Sequence, residues 1–176
     1  MPRRQLPTLW LMTDERVPHE RLLRAVARLP RGSGVVFRHY RLGDEERRAL
    51  FGEVRRIARR RGLWLMLAGD ERLALRWRAD GVHGAPSRRL PWSASAHDRR
   101  ELRAAERGRA ALAFVSPLFA TRSHPGARPL GVVRFAALAR GARVPVMALG
   151  GVGRRHLGLI RMLGASGFGA IDSLTR

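Results

Sequence analysis

Cysteine and lysine are both absent from the 176 residues of this chain, and tyrosine occurs once. Without cysteine the chain can form neither disulfide bonds nor thiolate metal sites, so its stability must come from packing. No run approaches the roughly 20 uncharged apolar residues that a membrane-spanning helix needs. The opening residues Met1-Pro2-Arg3-Arg4 lead into a strand-like run and not into the apolar core of a signal peptide. We therefore expect a cytoplasmic protein without a membrane segment.

Acidic residues are also scarce. The chain has 14 of them against 35 basic residues, all arginine, which gives a formal charge of +21. A field of this sign attracts polyanions, so a basic nucleic-acid-binding protein is one alternative. The arginines are spread over nearly every predicted helix, however, and no helix-turn-helix, zinc-finger or RNA-recognition signature is present. We expect a phosphorylated small molecule as the partner, and any nucleic-acid binding to be non-specific.

Eight short apolar runs alternate with arginine-rich segments of helical spacing, a pattern typical of a parallel sheet covered by helices. The predicted strands are Thr8 to Met12, Gly34 to Arg38, Leu63 to Leu67, Gly81 to His83, Trp92 to Ser95, Ala111 to Val115, Val144 to Leu149 and Gly167 to Ile171. We predict one domain over residues 1–176, a compact (β/α)8 TIM barrel, with an open doubly wound sheet as the alternative. Because Gly84 to Pro91 and Ala96 to Gly108 are brief, some helices should be short or missing.

Polar residues follow several of the apolar runs, where the active sites of parallel α/β folds lie. Gly150 and Gly151 can bring backbone N–H groups close to a phosphate, although such a pair also fits a plain tight turn. The loop residues Thr121, Arg122, Ser123 and His124 offer further donors to phosphate oxygens, although they also fit a solvated loop. The remaining candidates at strand ends are Arg38, Tyr40, His83, Ser95, His97 and Phe119.

None of the six histidines belongs to a pair at the close helical spacing that zinc sites use. A metal site built from histidine is therefore not expected. His83 and His97 follow apolar strand residues and are candidates for a general acid or base. A histidine at the end of a strand also fits a purely structural hydrogen bond.

Several segments, in order and spacing, resemble the thiamine phosphate synthase and TenI family. They are Ala79-Asp80-Gly81-Val82-His83, Ser95-Ala96-His97, Ser116-Pro117-Leu118-Phe119-Ala120-Thr121 with Pro125-Gly126 and Leu130-Gly131, Pro145-Val146-Met147-Ala148-Leu149-Gly150-Gly151-Val152 and Gly164-Ala165-Ser166-Gly167-Phe168-Gly169. The resemblance implies a barrel enzyme that joins hydroxymethylpyrimidine diphosphate to a thiazole phosphate, with magnesium helping the diphosphate to leave. By the same resemblance, Arg38 contacts the diphosphate and Ser95 lies near the leaving group.

The chain departs from that family's pattern at its metal site. Gly69 and Arg88 stand where the two magnesium-binding aspartates are expected, and a guanidinium cannot ligate magnesium. We therefore expect no metal site of the family's usual kind, and magnesium only if Asp70 substitutes for the missing ligands. Tyr40 replaces a lysine near the diphosphate, and Asp172 replaces a serine near the phosphate; we expect the Asp172 side chain to point away.

Two alternatives within the same family stay open. A TenI-like thiazole phosphate isomerase does not need the diphosphate site, but its usual histidine after strand six corresponds here to Pro117. A non-catalytic relative that only binds a phosphate ligand is the other. A homodimer is a further possibility on which the sequence does not decide.

Overall fold

Eight parallel strands form the centre of the structure, a computed structural model that describes residues 5–121, 126 and 128–175. The strands are β1 (Leu9–Met12), β2 (Gly34–Phe37), β3 (Trp64–Ala68), β4 (Gly81–His83), β5 (Trp92–Ala96), β6 (Leu112–Val115), β7 (Val146–Ala148) and β8 (Gly167–Ala170). Each strand pairs with its neighbours in sequence, and β8 pairs with β1 to close the barrel. The predicted (β/α)8 TIM barrel is confirmed, and the open sheet is not formed.

Helices connect most of the strands. They are α1 (His19–Arg28), α2 (Asp44–Arg61), α3 (Glu71–Trp77), α4 (Arg99–Arg107), α5 (Gly131–Arg140), α6 (Leu157–Met162) and α7 (Asp172–Thr175), with a short 3-10 turn at Arg154–His156 before α6. Residues 84–91 contain no helix, in line with the short connection expected there. The segment Ala96 to Gly108 contains the short helix α4 of 9 residues, and Asp98 caps it by accepting a hydrogen bond from the Glu101 N–H at 2.8 Å.

Large side chains fill the interior of the barrel, and glycine on neighbouring strands leaves space for them. A Cβ at Gly34 would lie 2.1 Å from the Trp10 ring, so only glycine fits on β2 at this position. The Trp10 ring meets the Phe114 ring edge-on, with the centroids 5.8 Å apart, and its Nε1–H donates to the Pro7 carbonyl at 2.8 Å. With its polar atom paired, Trp10 can be fully buried without an unsatisfied donor.

The helix α2 illustrates how an arginine-rich segment folds here. It buries Leu50, Phe51, Val54 and Ala58 on one face, and acidic residues occupy its first turn and arginines its last, which suits the helix dipole. Gly62 ends the helix in the left-handed region at φ 64°. Among the helices of the described residues, none combines the length and the apolar character that crossing a membrane requires.

Candidate functional site

A cavity of about 600 Å³ opens at the end of the barrel where the strands β2, β5, β6, β7 and β8 finish. Its wall consists of Arg38, His97 and the segments 116–117, 120–121, 149–156 and 169–173. This volume lies within the range of small-molecule sites, and the carboxyl ends of the strands are where barrel enzymes place their chemistry.

The cavity brings together part of the residue set predicted from the sequence. Arg38, His97, Thr121, Gly150 and Gly151 line it. Four of the predicted pocket or catalytic residues do not belong to its wall, namely Tyr40, His83, Ser95 and Phe119. The predicted phosphate-binding residues Arg122, Ser123 and His124 lie outside the described residues.

Arg38 is held by the loop that follows β1. Its Nε–H donates to the Thr13 carbonyl at 2.8 Å, its backbone N–H donates to the Thr13 hydroxyl at 2.9 Å, and its guanidinium lies 3.6 Å from the Asp14 carboxylate. Burial lowers the pKa of Arg38, and the charge of Asp14 opposes this shift. The guanidinium remains charged, since arginine does not lose its proton in proteins. The result is a fixed positive charge at one side of the cavity.

Ser95 and Tyr40 are both exposed and lie outside the cavity wall. Ser95 is the one exposed residue of β5, and Tyr40 has 66% of its surface exposed. Since alternate residues of a strand face the same side, Ser95 shares the side of Ser93, which faces into the barrel. Ser95 therefore stands above the barrel interior near its open end, although it does not contribute to the cavity wall.

His83 lies inside the barrel, below the cavity. Its Nδ1 atom is 2.9 Å from the hydroxyl oxygen of Ser93, and its ring packs edge-on against Phe114. Burial, together with the nearby charge of Arg38, lowers the pKa of His83 to about 4. The imidazole is therefore neutral near pH 7. This environment fits the structural hydrogen bond that was one of the two alternatives for His83.

His97 is exposed at the edge of the cavity and interacts with α4. Its Nδ1 atom lies 2.9 Å from the Glu101 carboxylate, which also accepts a hydrogen bond from the His97 backbone N–H at 2.6 Å. The carboxylate fixes the ring from one side and leaves Nε2 as the ring atom that can face a ligand.

The glycine pair is required by the packing of two loops. Gly150 and Gly151 have φ values of 89° and 64°, a region that favours glycine. A Cβ at Gly150 would lie 2.6 Å from Cβ of Pro117, and one at Gly151 would lie 2.7 Å from the carbonyl oxygen of Ala120. This close approach of the β6 and β7 loops accounts for both glycines without a ligand, so the glycine pair alone does not establish a phosphate site.

A basic triplet directly after the glycine pair was missed by the sequence reasoning. Arg154, Arg155 and His156 line the same cavity as Gly150 and Gly151. The signal was present in the sequence, because two arginines and a histidine follow the Gly-Gly turn within a few residues. Arg154 and Arg155, together with Arg38, give the cavity a positive charge.

Asp172 stands on the wall of the cavity, together with Ser173. The expectation that Asp172 turns away from the site therefore finds no support. Its negative charge acts on Arg16, whose pKa is raised mainly by a hydrogen bond to Asp14 and to a smaller degree by Asp172. Asp172 is the single carboxylate on the described part of the wall, where cationic side chains outnumber it.

The acidic residues nearest to the family's metal positions are engaged in other contacts. Asp70 caps α3 by accepting a hydrogen bond from the Leu73 N–H at 2.7 Å. The Glu71 carboxylate accepts hydrogen bonds from the Ser87 hydroxyl and from two backbone N–H groups, those of Arg88 at 2.6 Å and Arg89 at 2.8 Å. Within residues 5–121, 126 and 128–175, no group of three or more histidine, aspartate or glutamate side chains is arranged to hold a metal ion. Each of these two carboxylates therefore already accepts hydrogen bonds within the protein.

Comparison with known proteins gives a consistent result. The family model described as thiamine monophosphate synthase matches residues 9–174. A putative thiamine-phosphate synthase 2 of Aquifex aeolicus is 30% identical, over 96% of this chain and 97% of the relative. A thiamine-phosphate synthase of Chloroflexus aurantiacus is 29% identical, over 94% of this chain and 84% of the relative.

Solved structures agree in fold. A thiamine phosphate pyrophosphorylase from Pyrococcus furiosus superimposes with a TM-score of 0.82 at 21% identity, covering 98% of this chain and 89% of that one. At this level of identity the superposition shows the shared barrel.

Proposed function

The chain belongs to the thiamine monophosphate synthase family, and we propose that it is a thiamine-phosphate-synthase-like transferase. It would join the hydroxymethylpyrimidine group of its diphosphate to a thiazole phosphate. The observation that carries this proposal is the cationic cavity, whose wall includes Arg38, the basic triplet and the Gly150-Gly151 turn.

The segment from residue 149 to residue 156 suits the thiazole phosphate. Arg154 and Arg155 supply guanidinium donors, and Ser173 lines the same cavity, with its hydroxyl donating to the Val152 carbonyl at 3.2 Å. Guanidinium groups bind phosphate through charge-assisted hydrogen bonds, which are about twice as strong as neutral ones. The phosphate would thus anchor the thiazole with its ring directed toward the middle of the cavity.

Arg38 suits the diphosphate that leaves. In the proposed step the C–O bond between the pyrimidine methylene carbon and the diphosphate breaks, and the electron pair departs with the diphosphate. The thiazole nitrogen then forms the C–N bond to that carbon. Arg38 has a side chain only 18% exposed, so its charge acts on the developing anion with little screening by water.

No step of this reaction is assigned to a metal, because Asp70 and Glu71 already hold backbone groups in place. The same observation favours a second candidate, a relative that binds the phosphate ligand without turnover. A cytoplasmic location and a homodimer stay predictions from the sequence, to be checked by cell fractionation and by light scattering.

The test is a product assay with hydroxymethylpyrimidine diphosphate and thiazole phosphate, with and without magnesium. We expect thiamine phosphate and diphosphate to form in equal amounts. Arg38→Gln should lower the rate by about 100-fold or more, the loss typical of a removed group that stabilises a developing anion. Arg38→Lys should retain part of the rate, because lysine keeps the positive charge but lacks the planar set of N–H donors of the guanidinium.

The matched control is Arg56→Gln, which removes the same charge from an exposed position on α2. Its rate should equal that of the wild type, and thermal unfolding should show that each variant is folded. Absence of product with retained binding of thiazole phosphate would favour the non-catalytic relative. Equal rates for the Arg38 and Arg56 variants would remove Arg38 from the reaction.

A further inference from the structure

The imidazole of His156 lies between two N–H donors on the wall of the cavity. The Gly153 backbone N–H points to its Nδ1 atom at 3.1 Å, and the Arg155 Nε–H points to its Nε2 atom at 3.2 Å. The ring also packs beside Phe119, with the centroids 5.3 Å apart, which fixes its plane between the β6 and β7 loops.

These two contacts cannot both be hydrogen bonds. A neutral imidazole carries one N–H and one lone-pair nitrogen, so it can accept at one nitrogen only. Partial burial, with the charge of Arg155, lowers the pKa of His156, and protonation would remove the remaining acceptor as well. In either tautomer, one N–H group therefore faces another across about 3 Å.

The two donors differ in their freedom to move away. The Gly153 N–H belongs to the backbone turn that precedes the 3-10 segment, whereas Arg155 is exposed and has a flexible stem. The lone pair of the imidazole is therefore on Nδ1 and accepts from the Gly153 N–H. The Nε2–H then faces the Nε–H of Arg155, which is the unfavourable contact. Within the described part of the chain, neither Arg154 nor Arg155 forms an ion pair with a carboxylate.

We propose that Arg155 determines the specificity of this site for a dianionic phosphate group, by leaving His156 and binding the ligand when the cavity is filled. The movement replaces a contact between two donors with a charge-assisted hydrogen bond, and it frees the Nε2–H of His156. This inference rests on the proposed function, because it concerns the phosphate end of the same cavity.

Sulfate is the first probe, because it remains a dianion across the pH range in which histidine titrates, and inorganic phosphate is the second. Calorimetry should show that Arg155→Gln weakens sulfate binding by about tenfold or more, the usual effect of losing one charge-assisted hydrogen bond. The matched control Arg161→Gln removes the same charge from an exposed position on α6, outside the cavity wall, and should stay within about twofold of the wild type.

The second readout is the ring of His156, followed by nitrogen NMR and assigned with His156→Gln. Saturation with sulfate should shift its Nε2 signal in the wild type, with the same midpoint as the calorimetry. In Arg155→Gln the Nε2 signal of His156 should have the chemical shift of the sulfate-bound wild type even without sulfate, and adding sulfate should change it little. A role of Arg155 in folding alone would not produce this pattern.

Each outcome decides a different point. Equal sulfate affinity in Arg155→Gln and the wild type, or a ring signal that ignores sulfate in the wild type, would overturn the role of Arg155. Equal losses in the Arg155 and Arg161 variants would assign the effect to the overall field and also overturn it. Sulfate binding with the expected pattern but no transfer of the pyrimidine group would refute the proposed function alone. Failure of the wild type to bind either anion would refute both.

Discussion

The Nδ1 atom of His83 lies 2.9 Å from the hydroxyl oxygen of Ser93, on adjacent strands inside the barrel. The two side chains are almost completely buried and form part of the interior that supports the cavity. A neutral imidazole satisfies this arrangement, whereas a protonated one would place a charge in the interior near Arg38. This pair therefore makes the barrel sensitive to acid.

The first prediction concerns this acid sensitivity. Burial lowers the pKa of His83 to about 4, below the value of 6.5 for an exposed histidine. Between these values the unfolded chain binds a proton that the folded chain does not, so the free energy of unfolding falls as the pH drops through this window. We expect a loss of about 3 kcal/mol from His83 between about pH 6.5 and pH 4.

Urea denaturation at a series of pH values measures this loss. His83→Gln should remove most of the slope of the free energy of unfolding against pH. The matched control His97→Gln, at an exposed position, should keep this slope. Burial also lowers the pKa of His39 and that of His156, so part of the slope should remain in the first variant. A slope unchanged in His83→Gln would show that other groups cause the acid sensitivity.

The second prediction concerns the loop between β4 and β5. The Glu71 carboxylate accepts from the Ser87 hydroxyl and the N–H groups of Arg88 and Arg89, and these hydrogen bonds lower the pKa of Glu71. Glu71→Gln should weaken all three contacts. Hydrogen exchange followed by mass spectrometry should then show faster exchange in residues 84–91 and little change elsewhere.

Glu53→Gln on α2 removes the same charge without touching this loop and serves as the control. The effect should also appear in the wild type as the pH falls through the lowered pKa of Glu71, because protonation removes the acceptor charge. Unchanged exchange in the Glu71 variant would mean that other contacts hold the loop.

The third prediction concerns Gly151. An added Cβ would lie 2.7 Å from the Ala120 carbonyl oxygen, and φ is 64°, so alanine is disfavoured by both sterics and backbone. We expect Gly151→Ala to lower the free energy of unfolding by about 2 kcal/mol. In the control Gly158→Ala, on α6, the added atom meets nothing within 4 Å, so the same change should leave stability equal or slightly raised. Thermal and urea unfolding of both variants would measure the contrast.

Most of the barrel could be predicted because its strands are short, apolar and separated by polar helices. The ends of strands were less certain: β7 begins at Val146, two residues after the predicted start, where Pro145 has no N–H to offer a strand ladder. The site was predicted only in part. The contacts of Glu71 join residues 16 to 18 positions apart through one carboxylate, and no local spacing signals them.

The spacing of the sequence also could not predict which of the two serines of β5 is buried and which is exposed. Ser93 is buried beside His83, whereas Ser95, two residues later on the same side, is exposed at the open end of the barrel. Depth along the barrel decides this difference, and depth depends on the register with β4 and β6. Arg155 was missed for another reason, because its proximity to His156 in the cavity depends on the turn that follows Gly153.

The closing pair of β1 and β8 has a consequence for how the chain reaches its folded state. Leu9 and Phe168 are partners across this seam although nearly the whole chain separates them, so their contact carries a large loop-closure entropy. During synthesis on the ribosome, β1 and β7 each keep an unpaired edge until β8 has emerged. Such edges favour association between nascent chains, and release of the last strand ends that exposure.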